Sequence, residues 1–322
     1  MKGAVLFLCA AAAVHAAVSG TVINRTTDKP QAGATVGLNK LGQNGIELIN
    51  QAKSDAQGHF SIDQDIQGPI PHLIRTAYDG VTYNHMLPPG SVTTNLTLDV
   101  YNASKQPGAA KVTKHMLLFE PSNGSMVVNE TLLYVNEGKT SWDNDAGTAR
   151  FFLPPGTNGK VEVRATAPGG MPIGAPVVKT SKADEYAVGF PVKPGETRFD
   201  LTYAFPYQPG EPFEGRIATE DENTYLISPN GVTLAGENLR DLGTEPRTQA
   251  HIFGLQGASF KIQVTGAGID TPDSSESGQP PVEQILPRVM TQRVLILGLA
   301  LGILALGFAL LYRTEANERG RR

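Results

Sequence analysis

Residues 294–312, from Val294 through Tyr312, run for nineteen positions without a charge. As a helix rising about 1.5 Å per residue they span about 28 Å, close to the thickness of a hydrocarbon core. A core helix of a soluble domain keeps a polar stripe for water, and this run has none on any face. It reads as a transmembrane helix. Gly298 and Gly302 form a small-xxx-small pair that lets a second helix approach closely, so they are the candidate helix–helix contacts.

The orientation follows from the two ends. The tail, residues 313–322, holds Arg313, Arg319, Arg321 and Arg322 against Glu315 and Glu318, and basic residues beside a span stay on the cytoplasmic side. At the start, Lys2, an apolar stretch over residues 4–14, and the small residues Val14 and Ala16 have the order of a secretory signal. Residues 1–16 are the expected signal peptide. The one cysteine, Cys9, lies inside it, with Leu8 where lipid attachment requires a small residue. The mature chain is therefore expected to be free of cysteine, which suits a bacterial envelope better than an oxidising eukaryotic compartment. Asn-x-Ser/Thr sequons begin at Asn24, Asn95, Asn102, Asn123 and Asn129, and they read as by-products of Asn- and Thr-rich turns. Leu286-Pro287 is followed by Arg288, Val289 and Met290 rather than by a Thr-Gly pair, so no sortase signal is complete. The expected address is a bacterial cell membrane, with a single span and the N-terminal ectodomain on the periplasmic or extracellular side.

Between the ends, 35 glycines and 23 prolines punctuate short β-type runs, with alternation at Ala34, Val36 and Leu38 and again at Phe60 and Ile62. The fold class predicted is all-β. Ser19-Gly20-Thr21-Val22, then Lys29-Pro30-Gln31-Ala32-Gly33-Ala34-Thr35-Val36, then Ser54-Asp55-Ala56-Gln57-Gly58-His59-Phe60-Ser61-Ile62 stand in an order that resembles the carboxypeptidase regulatory-like domain. The resemblance implies a seven-stranded, prealbumin-like β-sandwich over residues 17–103 that supports its neighbours and carries no catalytic residue. Gly33 and Gly58 suit turn positions of positive φ, and Asp55 can cap its turn with its own side chain.

A second unit spans residues 111–207, after a linker over residues 104–110. Asn144-Asp145-Ala146-Gly147 before Phe151-Phe152-Leu153 echoes the Asp55 turn, and Pro194-Gly195 before Asp200-Leu201-Thr202-Tyr203 echoes Pro89-Gly90 before Asn95-Leu96-Thr97-Leu98. Residues 212–266 supply a few more strands, as a β annex or a third small domain, and residues 267–293 form a flexible spacer to the membrane. The architecture predicted is a tandem β-sandwich ectodomain with one C-terminal transmembrane helix.

The chemistry is sparse. No two of the histidines after residue 16 stand at a metal-pair spacing, and there is no Gly-x-Ser-x-Gly elbow, no cysteine nucleophile and no phosphate loop. The reading is of a protein that is not an enzyme and needs no cofactor. Asp143, Asn144 and Asp145 before Gly147 offer oxygen ligands at calcium-loop spacing, but the third ligand before the glycine and the distal Glu are missing, which favours a polar hairpin turn. Trp142, the only tryptophan, adds a flat aromatic face suited to sugar stacking. Trp142, Asp143 and Asp145 are the candidate ligand contacts. Without Lys2, the four tail arginines and the two tail glutamates, 22 basic and 29 acidic residues remain, a net −7 that disfavours nucleic acid. The expected function is a non-catalytic envelope protein that presents β-sandwich modules to a protein or glycan partner. The alternative is an accessory subunit of a membrane complex, assembled through the helix at Gly298 and Gly302.

Overall fold

In the computed structural model, residues 18–42, 45–66, 68–218 and 223–266 are described. The signal peptide, the spacer and the span expected at 294–312, with Gly298 and Gly302, lie outside them. The described residues are all-β, with several sheets and a single 3-10 turn at Pro155–Thr157. Among them no helix is long and apolar enough to cross a membrane.

The first eight strands are β1 (Val18–Asn24), β2 (Lys29–Pro30), β3 (Thr35–Gly42), β4 (Gly45–Lys53), β5 (His59–Ile62), β6 (His72–Tyr78), β7 (Val81–Leu87) and β8 (Leu96–Val100). One sheet is the antiparallel ladder β4-β3-β6-β7. In the other, β2 and β5 pair antiparallel with β1 while β8 runs parallel to it. The alternation read from the sequence puts Val36, Leu38, Phe60 and Ile62 into one core with Val18, Val22, Ile74 and Leu98, so the two sheets enclose it as in a sandwich. At the turn before β5, Asp55 Oδ1 accepts from the backbone N–H of Gln57 at 2.9 Å and of His59 at 2.8 Å, and Gly58 follows at φ +78°. A Cβ on Gly58 would lie 2.7 Å from the Val22 carbonyl oxygen, so only glycine closes this turn. Asn24, the first sequon, is 2% exposed, and its Nδ2 donates to Gln31 and Asn102, which leaves no room for a glycan there.

The remaining strands are β9 (Ala103–Ser104), β10 (Ala110–Ser122), β11 (Ser125–Asn136), β12 (Ser141–Trp142), β13 (Arg150–Phe152), β14 (Glu162–Thr166), β15 (Ile173–Gly174) and β16 (Val177–Lys179). They continue as β17 (Glu185–Val188), β18 (Gly195–Pro206), β19 (Pro212–Arg216), β20 (Thr224–Ser228), β21 (Val232–Gly236), β22 (Leu239–Thr244), β23 (His251–Leu255) and β24 (Ser259–Gly266). An eight-stranded sheet in the order β15-β14-β18-β11-β10-β20-β23-β22 organises them. Its inner row meets residues from two three-stranded sheets, β13-β17-β16 and β19-β24-β21, in one apolar core that contains Phe119, Phe151, Phe199, Leu226, Phe260 and Ile262. The strands after residue 212 thus extend the sheet and share the core of those before it.

The Asn144 turn repeats the Asp55 turn in its first side-chain bond and its glycine. Asn144 Oδ1 accepts from Ala146 N–H at 2.9 Å, its carbonyl accepts from Gly147 N–H at 2.8 Å, and Gly147 stands at φ +81°. The closing strands do not correspond, because β8 lies parallel beside β1 whereas β18 lies antiparallel between β11 and β14. A Pro-Gly pair before a strand fixes a turn but leaves the choice of neighbour to the rest of the chain.

Candidate functional site

The residues singled out at the Trp142 loop are junction residues between the first eight strands and the rest. β9 and β12 pair in parallel, and Trp142 and Val192 exchange both backbone hydrogen bonds at 2.9 Å. The Trp142 ring is partly buried, 6.1 Å from the Tyr134 ring and packed on the larger core. Asp143 donates its backbone N–H to the Ser104 carbonyl at 2.9 Å. Asp145 reaches Lys105 at 3.1 Å across side chains that are 94% and 59% exposed. The stretch read as a linker is therefore bonded to this loop, since Asn144 Nδ2 also donates to the Lys105 carbonyl at 2.9 Å.

Among the described residues no group of three His, Cys, Asp or Glu side chains converges as a metal site. Asp145→Ala is expected to change stability by less than about 1 kcal/mol, because an exposed pair contributes little, and added calcium is expected to leave the melting temperature unmoved. A calcium-dependent rise in a melting scan that disappears in Asp145→Ala would count against this assignment.

Above this contact the two parts enclose a cleft of about 200 Å³. Thr76, Tyr83, His85, Asp99 and Tyr101 line it from one side, and Pro168, Lys193 and Pro194 from the other. Tyr83 donates its hydroxyl to the Tyr101 carbonyl at 2.9 Å, so the Ser141 hydroxyl, also at 2.9 Å, donates to Tyr83. Burial pushes the Tyr83 phenol up to about 12. Lys193 crosses the junction, donates its Nζ to the Thr82 carbonyl, and lies over the Tyr83 and Phe190 rings at 5.3 and 5.8 Å from their centroids.

A second depression, about 580 Å³, opens between the Phe152–Pro155 stretch and the strands β19 and β24. Phe152 and Phe213 supply aromatic surface over the buried Phe260, and the Arg216 guanidinium lies 4.4 Å from the centre of the Phe152 ring. The rim charges are paired, Arg216 with Asp184 at 3.8 Å and Lys261 with Glu214 at 2.8 Å. Phe213 stacks on Phe205 at 4.7 Å and meets Phe260 edge-on at 5.8 Å, so a continuous aromatic cluster fixes the floor.

Tyr203 also lines this groove, and behind it lies a buried polar triad. His115 Nε2 is 2.8 Å from Glu130 Oε1, and Tyr203 donates its hydroxyl to Glu130 Oε2 at 3.2 Å. A bulge at Thr113 lets both Val112 and His115 face the core, while Glu130 stands in the inward row between Val128 and Leu132. Burial, with the Glu130 carboxyl second, holds the Tyr203 phenol far above its ordinary range.

No family model and no curated protein matches this chain. Among solved structures, an M1 zinc metallopeptidase from Deinococcus radiodurans aligns at 14% identity and a TM-score of 0.26 over 49% of this chain and 42% of its own. A variant of a two-domain M1 zinc metallopeptidase bound to L-tryptophan aligns at 13% identity and the same TM-score, over 49% of this chain and 43% of its own. The chain thus spans less than half the length of these proteins, and a likeness of this size carries no argument.

Proposed function

We propose that the chain is a non-catalytic, membrane-anchored envelope protein whose β-sandwich modules present the aromatic groove at Phe152 and Phe213 to a glycan. The groove is the observation that carries this reading. A sugar ring has an apolar C–H face and a rim of hydroxyls, and an aromatic floor bordered by charged side chains is complementary to both. Attachment rests on the apolar run at 294–312, and the envelope address on the signal sequence and the basic tail. The carboxypeptidase regulatory-like identity of residues 17–103 belongs to the same proposal. Two sheets around one core are compatible with it, and its role would be to hold the larger sheet system in place through the junction.

The groove is tested with the full-length chain in detergent against immobilised envelope polysaccharides and their fragments. The double variant Phe152→Ala/Arg216→Ala is expected to weaken retention at least tenfold, whereas Lys29→Ala, an exposed change in the first body, leaves it unaltered. Retention equal in all three proteins would refute the glycan reading, and loss of binding to a protein ligand alone would move the assignment to a protein partner.

A further inference from the structure

The cleft at the junction holds a cation that no described residue neutralises. Lys193 is 7% exposed, yet its ammonium has the Thr82 carbonyl as its one hydrogen-bond acceptor and forms no ion pair among the described residues. An ammonium has three donors, and a single carbonyl leaves two without an acceptor. The acid that lines the cleft, Asp99, lies 2.8 Å from Arg25 and is committed there. Faces of Tyr83 and Phe190 recover part of the lost hydration, but an ion pair would recover more. The ordinary pKa of this lysine is accordingly pulled down to about 8, by burial first and by Arg75 second.

We propose that the cleft is a binding site for a small organic carboxylate, with its carboxyl group on the Lys193 ammonium and its apolar body against Leu98, Tyr101, Pro168 and Pro194. The charge of the ligand follows from the charge of the walls. The Lys193 ammonium has no counter-charge among the described residues, and the apolar walls at Leu98, Tyr101, Pro168 and Pro194 suit a carboxylate with an apolar body better than a fully hydrated phosphate. The size follows from the volume: at about 30 Å³ per water, 200 Å³ admits roughly seven heavy atoms or a few more. Because the walls come from both bodies, a bound ligand ties them together. This site is separate from the aromatic groove and stands or falls without it.

The pH dependence is set by the groups that face the amine, which are Arg75 from β6, Tyr83 and His85 from β7, Asp99 from β8, and Tyr101 after it. Below about 8 the amine is charged, and a carboxylate meets its partner ready-made. Above that value binding must first recover a proton, so affinity is expected to fall, by up to about tenfold per pH unit. Tyr83, held near 12, stays neutral throughout this window.

The full-length chain in detergent is titrated by calorimetry with butyrate and benzoate, and in parallel with butyramide, benzamide and inorganic phosphate. One carboxylate is expected to bind per chain, with the neutral amides and phosphate at least tenfold weaker. Lys193→Met keeps the stem and removes the charge, and it is expected to lose carboxylate binding at least tenfold while unfolding in one cooperative step. Asn84→Glu, at an exposed position lining the same cleft, brings in a carboxylate of the chain's own and is expected to block the added one. Should Lys193→Met fail to fold, the acid-against-amide comparison and Asn84→Glu still decide. Amides binding as well as acids, a preference for phosphate, undiminished binding in either variant, or no saturable binding of either acid would each overturn the proposal.

Discussion

Glu130→Ala is expected to lower the stability of the larger sheet system by about 3–5 kcal/mol, because it removes the shared partner of two buried polar groups. His115 and Glu130 are 2% and 3% exposed, and Tyr203 is 5% exposed. After the change, His115 Nε2 and the Tyr203 hydroxyl face a core of Leu117, Val128, Leu132 and Leu201 with nothing to bond. His115 Nδ1 already lacks a partner among the described residues, so the ring would lose its last polar contact. In a body of this size the loss corresponds to a melting temperature lower by roughly 10 °C. Tyr203→Phe removes one donor and leaves the His115 contact, so it should cost less, about 1–3 kcal/mol. The decisive comparison is His115→Leu/Glu130→Leu/Tyr203→Phe, which replaces all three polar members by apolar groups and is expected to retain most of the stability that Glu130→Ala loses. Denaturant unfolding of the parent and these three variants gives the answer, and a triple variant no more stable than Glu130→Ala would show that the orphaned partners are not the source of the loss.

Gly20→Ala is expected to be nearly as damaging to the first body. Gly20 lies opposite Leu96 in the parallel pair β1–β8, and a Cβ there would stand 2.1 Å from the Leu96 carbonyl oxygen and 2.8 Å from the carbonyl carbon. The obstacle is backbone, which cannot rotate out of the way as a side chain can. Relief requires β8 to withdraw, and with it Leu98 and Val100 from the smaller core. About 3 kcal/mol, the upper part of the range for overpacking, is the expected cost. Gly33→Ala separates sterics from backbone conformation: Gly33 stands at φ +74° with open space where its Cβ would go, so it should cost only about 1 kcal/mol. Hydrogen exchange offers a local check, since amides of β8 should lose protection in Gly20→Ala and keep it in Gly33→Ala. Equal losses in the two variants would mean that β8 is not pressed against Gly20.

Much of the fold was legible where its cause is local. The Asp55 and Asn144 turns could be read because a side chain two residues from its acceptor and a glycine at positive φ are neighbours in sequence. The cores of the first body could be read because alternation is a property of the strand alone. Pairing was not legible, since whether a strand after Pro-Gly joins β1 in parallel or slots between β11 and β14 depends on residues far away. The candidate contacts at Trp142, Asp143 and Asp145 were chosen because they set polar and aromatic groups together, but sequence could not show that β9 and Lys105 bond to that loop. Glu130 was within reach, because Met126, Val128, Leu132 and Tyr134 make an apolar row at period two and the carboxylate interrupts it. Lys193, between Val192 and Pro194, left no such trace. A lone lysine in a loop reads as solvated until the opposite wall of its cleft is known.

The parallel pairing of β10 with β20 sets the order in which this protein can mature. One edge of β10 is covered at once by β11, through the two-residue turn Asn123-Gly124 with φ of 44° and 78°. The other edge waits for β20, in which Thr224 lies opposite His115, more than a hundred positions along the chain. A hairpin of this length forms in microseconds, but the distant strand must close a long loop first. Chain emerging from its N-terminal end would therefore carry the bare edge of β10 until Thr224–Ser228 followed, and a bare edge recruits foreign strands. Cutting after residue 207 would make that transient state permanent. The sheet order itself thus fixes which edge of the larger sheet is the last to be protected.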